Sequence, residues 1–239
     1  MRRRFFVEKF DSDKALLEGE AAHHVGRVLR AQIGQVYELS DGQRVFLGRI
    51  EDVGREHVKF ALLEELPAPK TLLDTTLLLA VVKFDAFEWA LEKATELGVT
   101  TIVPLAAARS EKGLLAAAQK RSERWNKILL EASQQSRRVR LPVLREVAKP
   151  GSAFFSMEQG ARILLSERTT AQPLRSLLAG RRTERAVLAI GPEGGWTDDE
   201  FASAQNAGFL DASLGRLILR TETAVITALA SINYALGEG

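Results

Sequence analysis

The 239-residue sequence contains no cysteine and only three histidines and two methionines. Without cysteine the chain can form neither disulfides nor thiolate metal sites. His23, His24 and His57 follow no H-E-x-x-H or similar spacing, so we expect no metal site. The first residues, MRRRFFVEKF, include no long apolar run. We therefore expect a cytoplasmic protein with neither a secretory signal nor a membrane span.

The common nucleotide-binding fingerprints are also missing. The glycine-rich segment IGPEGG at 190–195 is not followed by the Lys-Ser or Lys-Thr pair of a P-loop, and no G-x-G-x-x-G opens a helix after the first strand. A phosphate cradle is therefore not expected. This absence argues against an α/β enzyme that binds a nucleotide through its phosphates.

Positive charge is concentrated in one part of the chain. The net charge is only +2, yet residues 109–149 carry 11 basic and 4 acidic side chains, whereas acidic side chains are in slight excess in 1–69, 70–108 and 150–239. A local basic surface is typical of proteins that contact phosphates. A merely solvated basic helix is the alternative.

The first 69 residues have the pattern of a small β-barrel. Short β-type runs alternate with turns, Asp41-Gly42 is a hairpin signal, and one helical stretch covers about 19–31. The segment LPAPK at 66–70 breaks the pattern and is interpreted as a linker. We therefore predict a first domain at 1–69 and a second at 70–239.

From residue 71 onward, β-type and helical runs alternate. TTLLLAVV precedes a helical pattern ended by Gly98, TTIVPLAA follows, and the alternation continues to RAVLAIG. This order predicts an α/β domain with a mostly parallel sheet and helices on both faces.

Two loops interrupt the apolar runs between Ile190 and Ala224. IGPEGG follows a β-type run and precedes a helix opened by a Thr197–Glu200 capping box, so its glycines lie where a strand ends. Ligands of open α/β sheets bind at that end, and glycine permits close approach of a ligand to the backbone. The second loop is LGRLILRTETA at 214–224. The alternatives are a plain turn at the first loop and a helix start capped by Thr221 at the second.

These two loops together resemble the carboxyl-terminal segments of the SPOUT class of RNA methyltransferases. Within that class they are similar to the family that methylates uracil N3 in small-subunit ribosomal RNA. RRRFF at the start, HHVGRVLR at 23–30, KFDAFEWALEKATELGV at 83–99 and EASQQSRR at 131–138 occur in matching order. The resemblance implies a PUA-like first domain, a carboxyl-terminal trefoil knot, and S-adenosylmethionine as cofactor. It implies as substrate 16S ribosomal RNA of the 30S subunit, at the decoding-region uridine 1498 in conventional numbering.

The site residues follow from the resemblance together with the chemistry of methyl transfer. Loss of the uracil N3 proton requires a proton acceptor, or a cation that stabilises the resulting charge. We assign the cationic role to Arg220 and a role as base, or as orienter of Arg220, to Glu222. The resemblance places the cofactor against Leu165, Ser166, Ile190, Gly191, Pro192, Glu193, Gly194, Gly195, Ser213, Leu214, Gly215, Ile218, Leu219, Arg220, Thr223 and Ala224. The residues expected to contact RNA are Arg2, Arg3, Arg4, Arg27, Arg30, Arg109, Lys112, Arg137, Arg138 and Arg140.

The last helix, predicted at Glu222 to Leu236, is apolar on more than one face. Such a helix must be buried, either in its own domain or against a partner. The resemblance implies a homodimer whose partner completes each active site. A non-catalytic RNA-binding or ribosome-assembly module is the alternative function, but such a module has no need to keep a donor pocket.

Overall fold

A computed structural model describes residues 3–68, 73–157 and 160–237. The chain forms two compact units. The first contains 3–68 together with Ser133–Leu141, and the second contains 73–132 and 142–237. The domain boundary expected at residue 69 lies outside the described residues. No pattern in the sequence indicated that Ser133–Leu141 belongs to the first unit.

The first unit is built on a six-stranded sheet. Its strands are β1 (Arg4–Phe6), β2 (Phe10–Asp11), β3 (Lys14–Glu18), β4 (Val36–Ser40), β5 (Val45–Val53) and β6 (His57–Leu66). Their order is β1-β4-β5-β6-β3-β2, and only β1 and β4 pair in parallel. The predicted hairpin is confirmed, because Asp41 and Gly42 lie in the turn that joins β4 to β5.

Chain connectivity shows that this sheet curls. Strands β1 and β2 are its two edges, yet only residues 7–9 separate them in sequence. Four Cα-to-Cα steps span at most about 14 Å. In a flat sheet, six strands would place the edges about 24 Å apart. The edges must therefore approach each other, which gives the barrel-like form predicted from the sequence.

A helical segment covers one part of this barrel-like core. Helix α1 (Gly19–His23) continues into a π-helical turn at His24–Val28, as the pattern at 19–31 predicted. Arg30 has φ 50°, a left-handed conformation that no helix continues through. Val25 joins Phe5, Leu39 and Phe60 in the buried core.

Ser133–Leu141 is held in the first unit by a buried carboxylate. Glu38 on β4 accepts hydrogen bonds from Arg4 at 3.1 and 2.8 Å, and it also pairs with Arg137. A guanidinium nitrogen of Arg4 donates to the Arg137 carbonyl oxygen, and the Ser40 hydroxyl donates to the Val139 carbonyl oxygen at 2.8 Å. The segment is therefore an integral part of this unit.

The burial of this ion pair predicts a large effect of Arg4→Ala on stability. Glu38 would keep only one cation, and removing one partner of a buried pair costs about 3 kcal/mol or more. Arg44 and Glu65 form a matched control, because they make a similar two-bond pair with both side chains about half exposed. Arg44→Ala should cost little stability, because exposed ion pairs are screened by solvent. Urea unfolding of both variants measures the difference, and equal losses would show that burial of the pair does not matter.

The second unit is an α/β domain with a seven-stranded sheet. Its strands are β7 (Asp74–Ala80), β8 (Thr101–Leu105), β9 (Val143–Leu144), β10 (Ala161–Leu165), β11 (Gln172–Pro173), β12 (Arg185–Ile190) and β13 (Leu210–Ser213). The order is β11-β13-β10-β12-β7-β8-β9, and each neighbouring pair is parallel. The predicted parallel sheet is confirmed.

Helices cover both faces of this sheet. They are α2 (Phe84–Glu96), α3 (Lys112–Ala118), α4 (Ser122–Gln135), α5 (Pro150–Phe155), α6 (Leu174–Leu178), α7 (Asp198–Asn206) and α8 (Thr221–Leu236). Leu77 and Leu79 of β7 belong to a core shared with α2, α4, α6 and α8, whereas Leu78 and Ala80 belong to a core shared with α5 and α7. This alternation is expected when a strand is buried on both sides.

Two local signals fixed helix boundaries as predicted. The Thr197–Glu200 capping box opens α7, and Gly98, at φ 90°, follows the end of α2. Within the described ranges, no helix is both long and apolar enough to cross a membrane.

Candidate active site

A cavity of about 880 Å³ lies at one edge of the sheet of the second unit. Strands β10, β12 and β13 are parallel neighbours, so their carboxyl ends at Leu165, Ile190 and Ser213 meet at the same edge. All three residues line the cavity. This is where ligands of open α/β sheets bind.

The glycine loop at 191–195 forms one wall of the cavity. The Gly195 amide donates to the Pro192 carbonyl oxygen at 2.8 Å, and Gly195 has φ 69°, which favours glycine. Arg109 donates to the Gly194 carbonyl oxygen at 2.6 Å. A Cβ on Gly194 would lie 3.3 Å from the Arg109 Cβ, so the arginine stem packs directly against the loop. Arg109 therefore supports this wall.

Trp196 joins the ends of two strands behind the glycine loop. It is 7% exposed, and its indole N–H donates to the Leu165 carbonyl oxygen at 2.9 Å. A Cβ on Gly191 would lie 3.1 Å from the indole ring, so a side chain there would require the indole to shift. Trp196 was not among the predicted site residues. The sequence shows only that a tryptophan directly follows the glycine pair. Its hydrogen-bond partner, Leu165, is 31 positions away, so no local pattern indicated the contact.

The loop at 214–220 forms the opposite wall and leads into α8. Leu217 and Ile218 line the cavity but are 83% and 78% exposed. The loops meet where the Thr221 hydroxyl donates to the Gly191 carbonyl oxygen at 3.4 Å. The helix N-cap is Arg220, with no side-chain capping bond. The alternative that Thr221 caps α8 is therefore wrong, because Thr221 is its first residue and its hydroxyl faces the glycine loop.

The two predicted catalytic residues differ in environment. Glu222, in the first turn of α8, is 9% exposed and has no hydrogen bond or ion pair among the described residues. Arg220 is exposed and likewise forms no ion pair with a described residue. The two do not contact each other, as expected for side chains two positions apart at a helix start. The structure therefore provides no contact through which Glu222 could orient Arg220.

Nearly all residues assigned to the cofactor lie around this one cavity. It is lined by Leu165, Ser166, Ile190, Gly191, Pro192, Glu193, Gly194, Gly195, Ser213, Leu214, Gly215, Ile218, Leu219 and Ala224. Arg220 and Thr223 are not in the lining. Glu167, Arg168 and Asp198 line it without having been predicted. Arg168 pairs with Asp198, and its guanidinium lies 3.8 Å from the centre of the Phe201 ring.

The residues assigned to RNA are not equivalent in the structure. Those that are exposed and outside the cavity lining are Arg3, Arg27, Arg30, Lys112, Arg137 and Arg140. Arg4 is 5% exposed and paired with Glu38, so the structure contradicts the phosphate contact expected for it. Burial lowers the pKa of the Arg138 guanidinium to about 10, which leaves it cationic at neutral pH. Arg2 lies outside the described residues.

The basic segment 109–149 is divided between the two units. Residues 109–132 and 142–149 belong to the second unit, whereas Ser133–Leu141 belongs to the first. Arg109 contacts the glycine loop, and Arg137 pairs with Glu38. The basic side chains of the segment are therefore distributed over both units.

Two protein-family models match the chain. A model of an RNA methyltransferase domain covers residues 69–233, and a model of an RNA methyltransferase PUA domain covers 17–63. Ribosomal RNA small subunit methyltransferase E of Synechocystis sp. is 37% identical over 90% of this chain and 71% of that protein. The protein of the same name from Rickettsia conorii is 32% identical over 88% of this chain and 85% of its own length.

Two solved structures have the same fold over nearly the whole chain. Ribosomal RNA small subunit methyltransferase E of Neisseria gonorrhoeae, bound to S-adenosyl methionine, has a TM-score of 0.88 at 28% identity, covering 99% of this chain and 98% of that one. A Legionella pneumophila methyltransferase with bound cofactor SAM has a TM-score of 0.90 at 30% identity, covering both chains completely.

The fold and the cavity thus define an RNA methyltransferase of the α/β class with a PUA domain. The chain belongs to the family of ribosomal RNA small subunit methyltransferase E. The resemblance drawn from the sequence motifs is therefore confirmed, and so is the prediction of a ribosomal RNA methyltransferase.

Proposed function

We propose that this chain transfers a methyl group from S-adenosylmethionine to uracil N3 of 16S ribosomal RNA, at uridine 1498, in the cytoplasm. One observation carries the proposal: nearly all residues assigned to the cofactor line one cavity at the carboxyl ends of three parallel strands. Glu222, a buried carboxylate that forms no hydrogen bond or ion pair with a described residue, directly follows Thr221 of the cavity lining but is not itself in the lining.

The cavity suits a donor that carries no phosphate. Its volume of about 880 Å³ is within the range of small-molecule sites. Of the three described arginines in its lining, Arg109 and Arg168 already bind a carbonyl oxygen and a carboxylate, and the third, Arg216, is exposed. The glycines offer backbone groups to the donor. When bound, S-adenosylmethionine supplies an electrophilic methyl group. Backbone groups of Ile190, Leu214 and Leu219 are proposed to read its adenine edge.

Glu222 is assigned the role of proton acceptor, and Arg220 is assigned the role of the cation that stabilises negative charge. A carboxylate close to the cavity can accept the N3 proton, which general-base catalysis requires. Arg220 is exposed at the start of α8, so its guanidinium is free to meet the negative charge on the uracil oxygens. Each residue thus acts on the base directly.

Calorimetric titration separates this function from the alternatives. We expect S-adenosylmethionine to bind and ATP and NAD not to bind, because the chain has no phosphate cradle. Binding of ATP or NAD in preference to S-adenosylmethionine would indicate another class of enzyme. Failure of all three ligands to bind would leave a non-catalytic RNA-binding module.

The protein is also proposed to act as a homodimer. Val225, Ala228, Leu229 and Ile232 of α8 are buried within its own unit, so the monomer accounts for one face of the helix. Ile226, Ala230 and Tyr234 follow one another at four-residue spacing, and Tyr234 is 92% exposed. An exposed apolar stripe of this kind fits a two-fold contact with its own copy.

Light scattering tests the dimer. The native chain should have twice its 26.3 kDa mass in solution, and Tyr234→Glu should be monomeric because it places a charge in the apolar contact. Mixed dimers of a donor-site variant and an RNA-site variant should recover activity if the partner completes each site. A fully active monomer would refute the pairing.

The path of the chain around the cavity is proposed to be the trefoil knot of the family. The chain runs from β13, at one side of β10, past the glycine loop to α8, which packs against α2 and α6. Two introduced cysteines would provide unique handles for mechanical unfolding, since the chain has none. A knotted chain under force stays shorter than its contour length of about 3.6 Å per residue, whereas an unknotted chain reaches it.

A further inference from the structure

Glu88 on α2 binds two arginines that the assigned roles do not use. Its carboxylate is 8% exposed. It accepts hydrogen bonds from the Arg124 Nε at 2.8 Å to each oxygen and from Arg121 at 2.8 Å. These bonds, chiefly that from Arg124, hold the pKa of Glu88 below its ordinary value, so it stays ionised at neutral pH. One buried carboxylate thus fixes two guanidinium groups.

Aromatic stacking fixes one of the two arginines further. The Arg121 guanidinium lies 3.8 Å from the centre of the Phe84 ring, which belongs to the first turn of α2. Stacking and ion pairing together restrict the rotamers of Arg121. The Arg124 side chain, although bound to Glu88, remains 65% exposed. Its remaining N–H groups are therefore open to a ligand.

Lys127 extends the same basic surface along α4. Arg124 and Lys127, three positions apart in α4, lie on one helical face and are exposed. Lys120, in the 3₁₀ turn directly before α4, is also exposed. With Arg121, this face presents four cations. Glu88 and Asp85 act on Arg124 through their charge. On α4 itself, Glu123 and Glu131 each lie four positions from Lys127.

We propose that this face of α4, with Arg124 and Lys127 at its centre, binds the phosphate backbone of the substrate RNA. The inference rests on the proposed function, because it adds a contact surface for the same RNA. A side chain already held in one orientation loses little rotamer freedom on binding, which distinguishes Arg124 from a freely solvated arginine. Glu88 is a positioning residue for this surface.

The double variant Arg124→Ala/Lys127→Ala tests the surface. Each phosphate contact to a single strand contributes about 0.7 to the slope of log affinity against log salt. Removing two contacts should make that slope shallower by about 1.4. Between about 50 and 200 mM salt, the affinity of the native chain should then fall roughly sevenfold more than that of the variant. The probe is a 16S ribosomal RNA fragment that contains the decoding region.

Arg175→Ala/Arg182→Ala is the matched control, since both residues are exposed, lie in the same unit and remove the same charge. The control should keep the native slope. A native slope in the Arg124/Lys127 variant, or an equal fall in the control, would overturn the proposal. Because RNA binding is measured without methyl transfer, failure of the proposed enzyme activity would appear separately, as loss of methylation by the native chain.

Glu88→Gln tests the positioning role of Glu88, because positioning and net charge predict opposite changes in RNA affinity. The change removes a negative charge, so a purely electrostatic surface would bind RNA more tightly. If Glu88 orients Arg124 and Arg121, RNA binding should weaken severalfold, while S-adenosylmethionine affinity stays native and shows that the second unit is folded. Tighter RNA binding would overturn the role of Glu88.

Discussion

Gly195→Val should reduce S-adenosylmethionine affinity by roughly 100-fold or more. Gly195 has φ 69°, where a β-branched residue is strained by about 1–3 kcal/mol, and relief of that strain would move the cavity wall. An added side chain would also enter the space that the glycine loop leaves for the donor. Calorimetric titration measures the loss.

Gly180→Val is the control for backbone strain. Gly180 has φ 67° and no atom within 4 Å of an added Cβ, and it does not line the cavity. It should therefore lose comparable stability and keep native donor affinity. Native affinity in Gly195→Val would show that the glycine loop is not the donor site.

Glu222→Gln should lower the rate of methyl transfer by roughly 10²- to 10⁴-fold, the usual contribution of a general base. The amide keeps the size of the side chain but cannot accept the N3 proton. Donor affinity should change little, because Glu222 does not line the cavity. Single-turnover methylation of RNA at saturating donor separates the chemical step from binding.

Asp199→Asn provides the comparison for Glu222. Asp199 is an exposed carboxylate in the first turn of α7, next to Asp198 of the cavity lining but outside that lining, so the variant tests whether any nearby negative charge matters. We expect a rate within a few-fold of the native one. If Glu222→Gln retains native turnover, the proton must leave by another route, and the assignment of Glu222 fails.

Local sequence patterns predicted the local structure well. The Thr197–Glu200 capping box, the turn at Asp41-Gly42 and the helix end at Gly98 all depend on residues within a few positions of one another. Alternating β-type and helical runs predicted a parallel sheet, because two neighbouring parallel strands are usually connected by a helix.

Features that depend on distant partners could not be predicted in this way. Arg4 and Arg137 share Glu38 although 133 positions separate the two arginines, so neither pattern nor charge count identified Arg4 as buried. The contact of Trp196 with Leu165 likewise follows from the strand order β13-β10-β12, which alternation alone does not define. The cofactor residues that line the cavity were identified by family resemblance and not by periodicity.

The most direct test is to map the methyl group itself. The native chain and Gly195→Val are each incubated with S-adenosylmethionine labelled in its methyl group and with 30S subunits that lack the modification. Mass analysis of 16S ribosomal RNA fragments then locates the label. We expect one labelled methyl on N3 of a decoding-region uridine with the native chain and none with the variant. Unlabelled RNA, or a label on a ribose oxygen or a ring carbon, would contradict it.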